Sequence, residues 1–106
     1  MVLQPHPLLY TAIENRRMVR FFYHGKERIV EPHDYGILNG SVQLLSWQIF
    51  GFSSRPLPNW LRSKVNEITK LELLDQTFPG GRPTTSGKHT QWDVLFIRVK
   101  LAKGSG

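Results

Sequence analysis

The stretch 19–32, VRFFYHGKERIVEP, reads as a β-hairpin that runs into a proline. Val19, Phe21 and Tyr23 alternate with Arg20, Phe22 and His24, the two-residue period of a strand with one apolar face. His24-Gly25-Lys26 supplies the glycine that a tight turn needs, and Glu27 to Glu31 continues as a second strand. Pro32 has no amide hydrogen to give a sheet ladder, so a bend is expected at Glu31-Pro32-His33.

Upstream of the hairpin, 7–17 has helical spacing. Pro7 suits a first turn, and Leu9, Ala12, Ile13 and Arg16 fall at i, i+3, i+4 and i+7. Arg16 and Arg17 then stand in the last turn, where cations favour the helix dipole. So short a helix is marginal alone and must dock on the strands.

Downstream, Asn39-Gly40 marks a type I′ turn between Tyr35-Gly-Ile-Leu38 and a strand from Ser41 through Trp47 to Phe50. Gly51 to Asn59, which holds Ser53, Arg55, Pro56 and Pro58, reads as a loop. From Trp60 to Asp75 the spacing favours strands with Val65, Ile68, Leu71 and Leu73 or Leu74 in the core, although a helix also fits it. Phe78 to Lys88 is a second loop, and Trp92 to Leu101 a closing strand. One helix and five or six short strands imply a mainly β, α+β chain: a small closed barrel over 19–101 behind the helix, with 102–106 as a tail.

A length of 106 residues with 40% apolar content suits one domain. Without cysteine, disulfides, thiolate metal sites and thiol catalysis are all excluded. No apolar run reaches the ~18 residues of a membrane span, and Met1-Val-Leu-Gln-Pro-His-Pro lacks the features of a signal peptide, so a cytoplasmic protein with no membrane partner is expected. A net charge of +6 favours a polyanionic partner, or serves solubility.

His6, His24, His33 and His89 show no metal-ligand spacing, so no metal and no cofactor are expected. The nucleotide, hydrolase and zinc-protease motifs are absent. Glu31 with Asp34, or His33 with Asp34, has the composition of an acid–base pair but reads better as a turn-stabilising cluster, and no enzyme is expected. Trp47, Trp60, Trp92, Tyr23, Tyr35 and Phe21, interleaved with Arg20, Arg28, Arg55 and Arg62, read either as core or as a platform on which bases stack.

Residues 8–78 resemble the WYL domain of bacterial regulators. The matching stretches are Ala12-Ile13-x-x-x-Arg17, Val19-x-Phe21-x-Tyr23-x-Gly25, Arg28-x-Val30-Glu31-Pro32, Gly40-x-x-x-Leu44, Trp60, Val65-x-x-Ile68 and Leu73-Leu74-Asp75-x-x-Phe78. Glu31-Pro32-His33, Gly36 and Gln48-x-x-Gly51-x-Ser53 are similar to short stand-alone members. The resemblance implies an SH3-like or Sm-like barrel that senses a ligand or nucleic acid in transcription regulation. The naming Trp-Tyr-Leu triplet falls on Val42-Gln43-Leu44, and two positions that usually hold arginine hold Leu61 and Glu67, with Arg62 displaced by one. The implied polyanion pocket is therefore either absent or moved onto Arg28, Arg55 and Arg62. No helix-turn-helix precedes the domain, so a complete one-component regulator is not expected.

Two readings follow. In the first, Tyr23, Arg28, Glu31, His33, Gln48, Ser53, Arg55, Trp60 and Arg62 form one site for single-stranded nucleic acid or a nucleotide. Arg28 grips phosphate, Gln48 and Ser53 hydrogen-bond, and Trp60 forms a wall; alternatively Arg28 and Glu31 pair with each other. In the second, the chain is a structural protein–protein module, a homo-oligomer or the partner of a regulator, with the proline-rich loop as its contact surface.

Overall fold

The computed structural model describes residues 6–82 and 92–101. Lys88, His89 and the tail at 102–106 lie outside the described residues. Helix α1 (Pro7–Glu14) leads into β1 (Arg17–Tyr23), β2 (Lys26–Leu38), β3 (Ser41–Gly51), β4 (Asn59–Lys64), a 3₁₀ turn (Val65–Glu67), β5 (Ile68–Thr77) and β6 (Val94–Arg98). The fold is mainly β with one helix, and its antiparallel sheet is not closed into a barrel: the order is β4-β3-β2-β1-β5, with β6 beside β2. The closed barrel expected from the strand count is corrected here, because among the described residues no pairing joins β4 to β5.

The helix is three residues shorter than its spacing predicts. The His6 ring caps its start by accepting from the Leu8 amide, and Leu9, Ala12 and Ile13 are buried as expected. Asn15 donates its side-chain amide to the Thr11 carbonyl, and Arg16 then enters the left-handed region at φ 53°. Arg16 and Arg17 are thus outside the last turn. Arg17 opens β1 and donates to the Leu74 carbonyl at 2.8 Å.

Both tight turns stand where the sequence places them. His24 and Gly25, and then Asn39 and Gly40, have positive φ at both central residues, the type I′ geometry that suits strand twist. The strand does not end at Pro32. β2 runs on to Leu38, with Pro32 opposite Ser46 beside an irregularity in the β2–β3 register. Its second edge also changes partner there: pairing with β1 stops at Val30 and pairing with β6 starts at Asp34. A proline is tolerated at such an interruption because the ladder is already broken locally.

From Trp60 to Asp75 strands prevail over the helical alternative, divided by the 3₁₀ turn. Val65, Ile68, Leu71, Leu73 and Leu74 are half-buried against the core rather than inside it. The core is Leu9, Ala12, Ile13, Met18, Val19, Phe21, Val30, Tyr35, Leu44, Phe78 and Val99. No helix among the described residues is long and apolar enough to cross a membrane.

Candidate functional site

Strand alternation divides the nine expected site residues. Phe21 lies opposite Arg28, Val19 opposite Val30, and Val30 opposite Gln48, so Arg28 and Gln48 share the face that carries the core. Tyr23 follows Phe21 by two and lies on that face too. Glu31, Trp47 and Trp60 pair across three strands on the other face, and Arg62, opposite Leu45, is exposed on that face as well. A separation of three residues along one strand places Arg28 and Glu31 on opposite faces, which excludes the ion pair between them. The single expected site is therefore corrected to two clusters.

The first cluster surrounds the β2 irregularity and is filled from the end of the chain. Glu31, 5% exposed, accepts from Arg82 Nε at 2.9 Å and Nη2 at 3.1 Å. Fully buried Asp34 accepts from Arg98 Nε and Nη2 at 3.1 and 3.2 Å, and from the Trp92 indole at 3.0 Å. The Arg82 amide donates to His33 Nε2 at 3.0 Å. An amide can only donate, so the ring proton sits on Nδ1, which donates to the Glu31 carbonyl at 2.8 Å. The His33 ring lies edge-on to Trp60 and parallel to Phe78. Trp60 also meets Trp47 at 5.0 Å, and the Arg82 guanidinium rests over Trp47. Glu31 and Asp34 are thus not a local turn cluster but the buried anchors of Arg82 and Arg98. Satisfied bidentate pairs of this kind hold segments together.

The second cluster is built on Arg28. Its guanidinium lies over the rings of Tyr23 at 5.7 Å and Phe52 at 5.5 Å. Nη1 reaches Gln48 Oε1 at 3.5 Å, and Nε is buried without a hydrogen bond. Arg82 and Arg98 both use the Nε/Nη2 edge to hold a carboxylate. Among the described residues Arg28 has no carboxylate on that edge. Burial lowers the Arg28 pKa below the ordinary arginine value, opposed only by Tyr23.

Local geometry fixes this second cluster. Gln48, 2% exposed, donates to the carbonyls of Phe50 and Phe52 at 3.1 and 2.7 Å. Gly51 has φ +98°, and a side-chain carbon there would collide with the Glu27 carbonyl. That close approach lets the Phe52 amide bond the same carbonyl at 2.8 Å and brings the Phe52 ring over Arg28.

Ser53 serves its own loop, accepting from the Arg55 amide at 3.1 Å, and Arg55 reaches the Trp60 carbonyl at 3.4 Å. Beyond the nine, the clusters contain Asp34, Trp47 and Trp92, which the sequence singles out for other roles, and Phe52, Arg82 and Arg98, which it does not. Of these last three only Phe52 had a local signal, its place after Gly51. Among the described residues no three His, Asp or Glu side chains come together as a set that could hold a metal ion. No protein-family model, no curated protein and no solved structure matches the chain.

Proposed function

We propose that the chain is a non-enzymatic WYL-like module, in which Arg28 receives a phosphate group of single-stranded nucleic acid or of a nucleotide. The helix-first order, the strand path β4-β3-β2-β1-β5 and the 3₁₀ turn ahead of β5 support the SH3-like or Sm-like part of this reading. One observation carries the rest: a partly buried guanidinium against two aromatic rings, with a buried Nε that makes no hydrogen bond and has no carboxylate partner among the described residues. A guanidinium that has no carboxylate partner among the described residues keeps its charge available to an oxyanion. Tyr23 and Phe52 offer the flanking stacking surfaces that unpaired bases use.

Fluorescence anisotropy of labelled single-stranded and duplex oligonucleotides tests it. Binding that weakens steeply with salt and is lost in Arg28→Ala supports the site. Absence of binding to oligonucleotides and nucleotides at low salt removes it. The outer edges of β4 and β5, which no described strand pairs, favour a second reading as a homo-oligomeric interaction module. Light scattering that reports a monomer at high concentration excludes that one.

A further inference from the structure

Lys26 and Arg28 are two residues apart on β2, so both side chains leave the strand on one face. They also share one ring: Lys26 Nζ lies 4.8 Å from the Phe52 centroid and Arg28 Cζ 5.5 Å from it. These distances bound the separation of the two charges at about 10 Å, the Debye length at ~0.1 M salt, so each feels the other.

The neighbouring carboxylates are committed elsewhere. Glu27 alternates onto the opposite face and is held by Arg20, which also takes Glu72. Glu67 is held by His24, whose ring stacks on Tyr23 at 4.1 Å. Among the described residues neither Lys26 nor Arg28 has an ion pair. Gln48, the polar group beside Arg28, is neutral. Two coupled cations around one aromatic ring, without a counter-charge, match a ligand that carries two neighbouring anionic groups.

We infer that the ligand of the Arg28 site presents two adjacent phosphates, one on the Arg28 guanidinium and the second on Lys26, with the Phe52 ring beside them as an apolar wall. The inference rests on the phosphate reading of Arg28 and deepens it. A nucleoside diphosphate and two successive phosphates of a single strand share this chemistry.

Calorimetric titration with inorganic phosphate and pyrophosphate tests it on wild type, Lys26→Ala and Arg28→Ala. Wild type is expected to prefer pyrophosphate by roughly tenfold, the ratio that ~1.4 kcal/mol of added contact gives. Lys26→Ala should lose that preference and keep its phosphate affinity, whereas Arg28→Ala should lose both ligands. Lys26 is exposed, so its truncation leaves the fold intact. A tenfold preference that survives in Lys26→Ala, or none in wild type, overturns the two-phosphate inference and leaves the Arg28 site standing. If neither anion binds folded wild type, the Arg28 reading itself fails. Displacement of pyrophosphate by a nucleoside diphosphate at lower concentration than by oligo(dT) identifies a nucleotide, and the reverse identifies a strand. Displacement by neither overturns the inference.

Discussion

Asp34 and Arg98, 64 residues apart, meet through two parallel hydrogen bonds of 3.1 and 3.2 Å, with the carboxylate fully buried and the guanidinium side chain 39% exposed. The pair joins the middle of β2 to the end of β6. The Trp92 indole adds a third donor to the same carboxylate from the residues just ahead of β6.

Removing that acceptor strands three donors. Asp34→Ala is expected to cost about 3 kcal/mol, the low end for breaking a buried pair because Arg98 can rehydrate. Asp34→Asn, which keeps an acceptor, should cost less. Urea unfolding reads both as a lower midpoint at constant m-value. An unchanged midpoint in Asp34→Ala shows that the pair does not hold β6.

Gly51 and Gly25 both have positive φ but differ in their surroundings. A side-chain carbon at Gly25 meets nothing within 4 Å, whereas at Gly51 it meets backbone. Gly25→Ala should therefore cost ~1 kcal/mol of left-handed strain. Gly51→Ala adds a backbone clash and should cost roughly 2–3 kcal/mol. It should also weaken anion binding by moving Phe52. Equal midpoints for the two variants would falsify the close approach of β3 to β2.

Glu67 supplies a pH signature. The hydrogen bond from His24 is the largest influence and holds its carboxyl below the ordinary 4.5 against burial, the next largest. The charges of His24 and Lys64 and a hydrogen bond with Tyr23 act the same way as the His24 bond. A depressed carboxylate contributes stability above its unfolded value and loses it as pH falls through the folded value. His24→Ala should raise the Glu67 pKa toward 4.5 and flatten that part of the acid limb. A carboxyl-carbon NMR titration that shows no upward movement removes the His24 bond as the cause.

Phe21 and Phe50 separate core from surface. Phe21 is fully buried and Phe50 is 61% exposed. Phe21→Ala is expected to cost about 3–5 kcal/mol and Phe50→Ser less than ~0.5 kcal/mol. Comparable losses in thermal unfolding would contradict the assignment of the two faces.

Much of the sheet was legible because its signals are local. Gly25 and Asn39-Gly40 declare their turns within a few residues, and alternation from Val19 to Tyr23 and across β3 follows directly. Pro32 misled because a proline reports only its own missing donor, while the partner strand changes beside it for reasons that lie 60 residues away. β5 was ambiguous because Lys70, at φ 53°, and two register shifts against β1 blur its alternation.

The candidate site was legible in part, for reasons of parity and distance. Tyr23, Arg28 and Gln48 lie on one face as their spacing and register allow. Glu31, Trp60 and Arg62 lie on the other face, and for Glu31 its distance of three from Arg28 already contained that answer. Arg82 and Arg98 reach Glu31 and Asp34 over separations of 51 and 64 residues, beyond any pattern in a short window.

β2 has β3 along one edge and β1, then β6, along the other. Its residue count is therefore set by three neighbours at once. Deleting one residue inside it would flip every following side chain, sending Asp34 away from Arg98 or Arg28 away from Phe52. Among the described residues, changes in chain length are accommodated at the tips at His24-Gly25 and Asn39-Gly40 and in the loop 52–58. Sequences that descend from this one can drift in length there, and β2 remains the ruler against which they align.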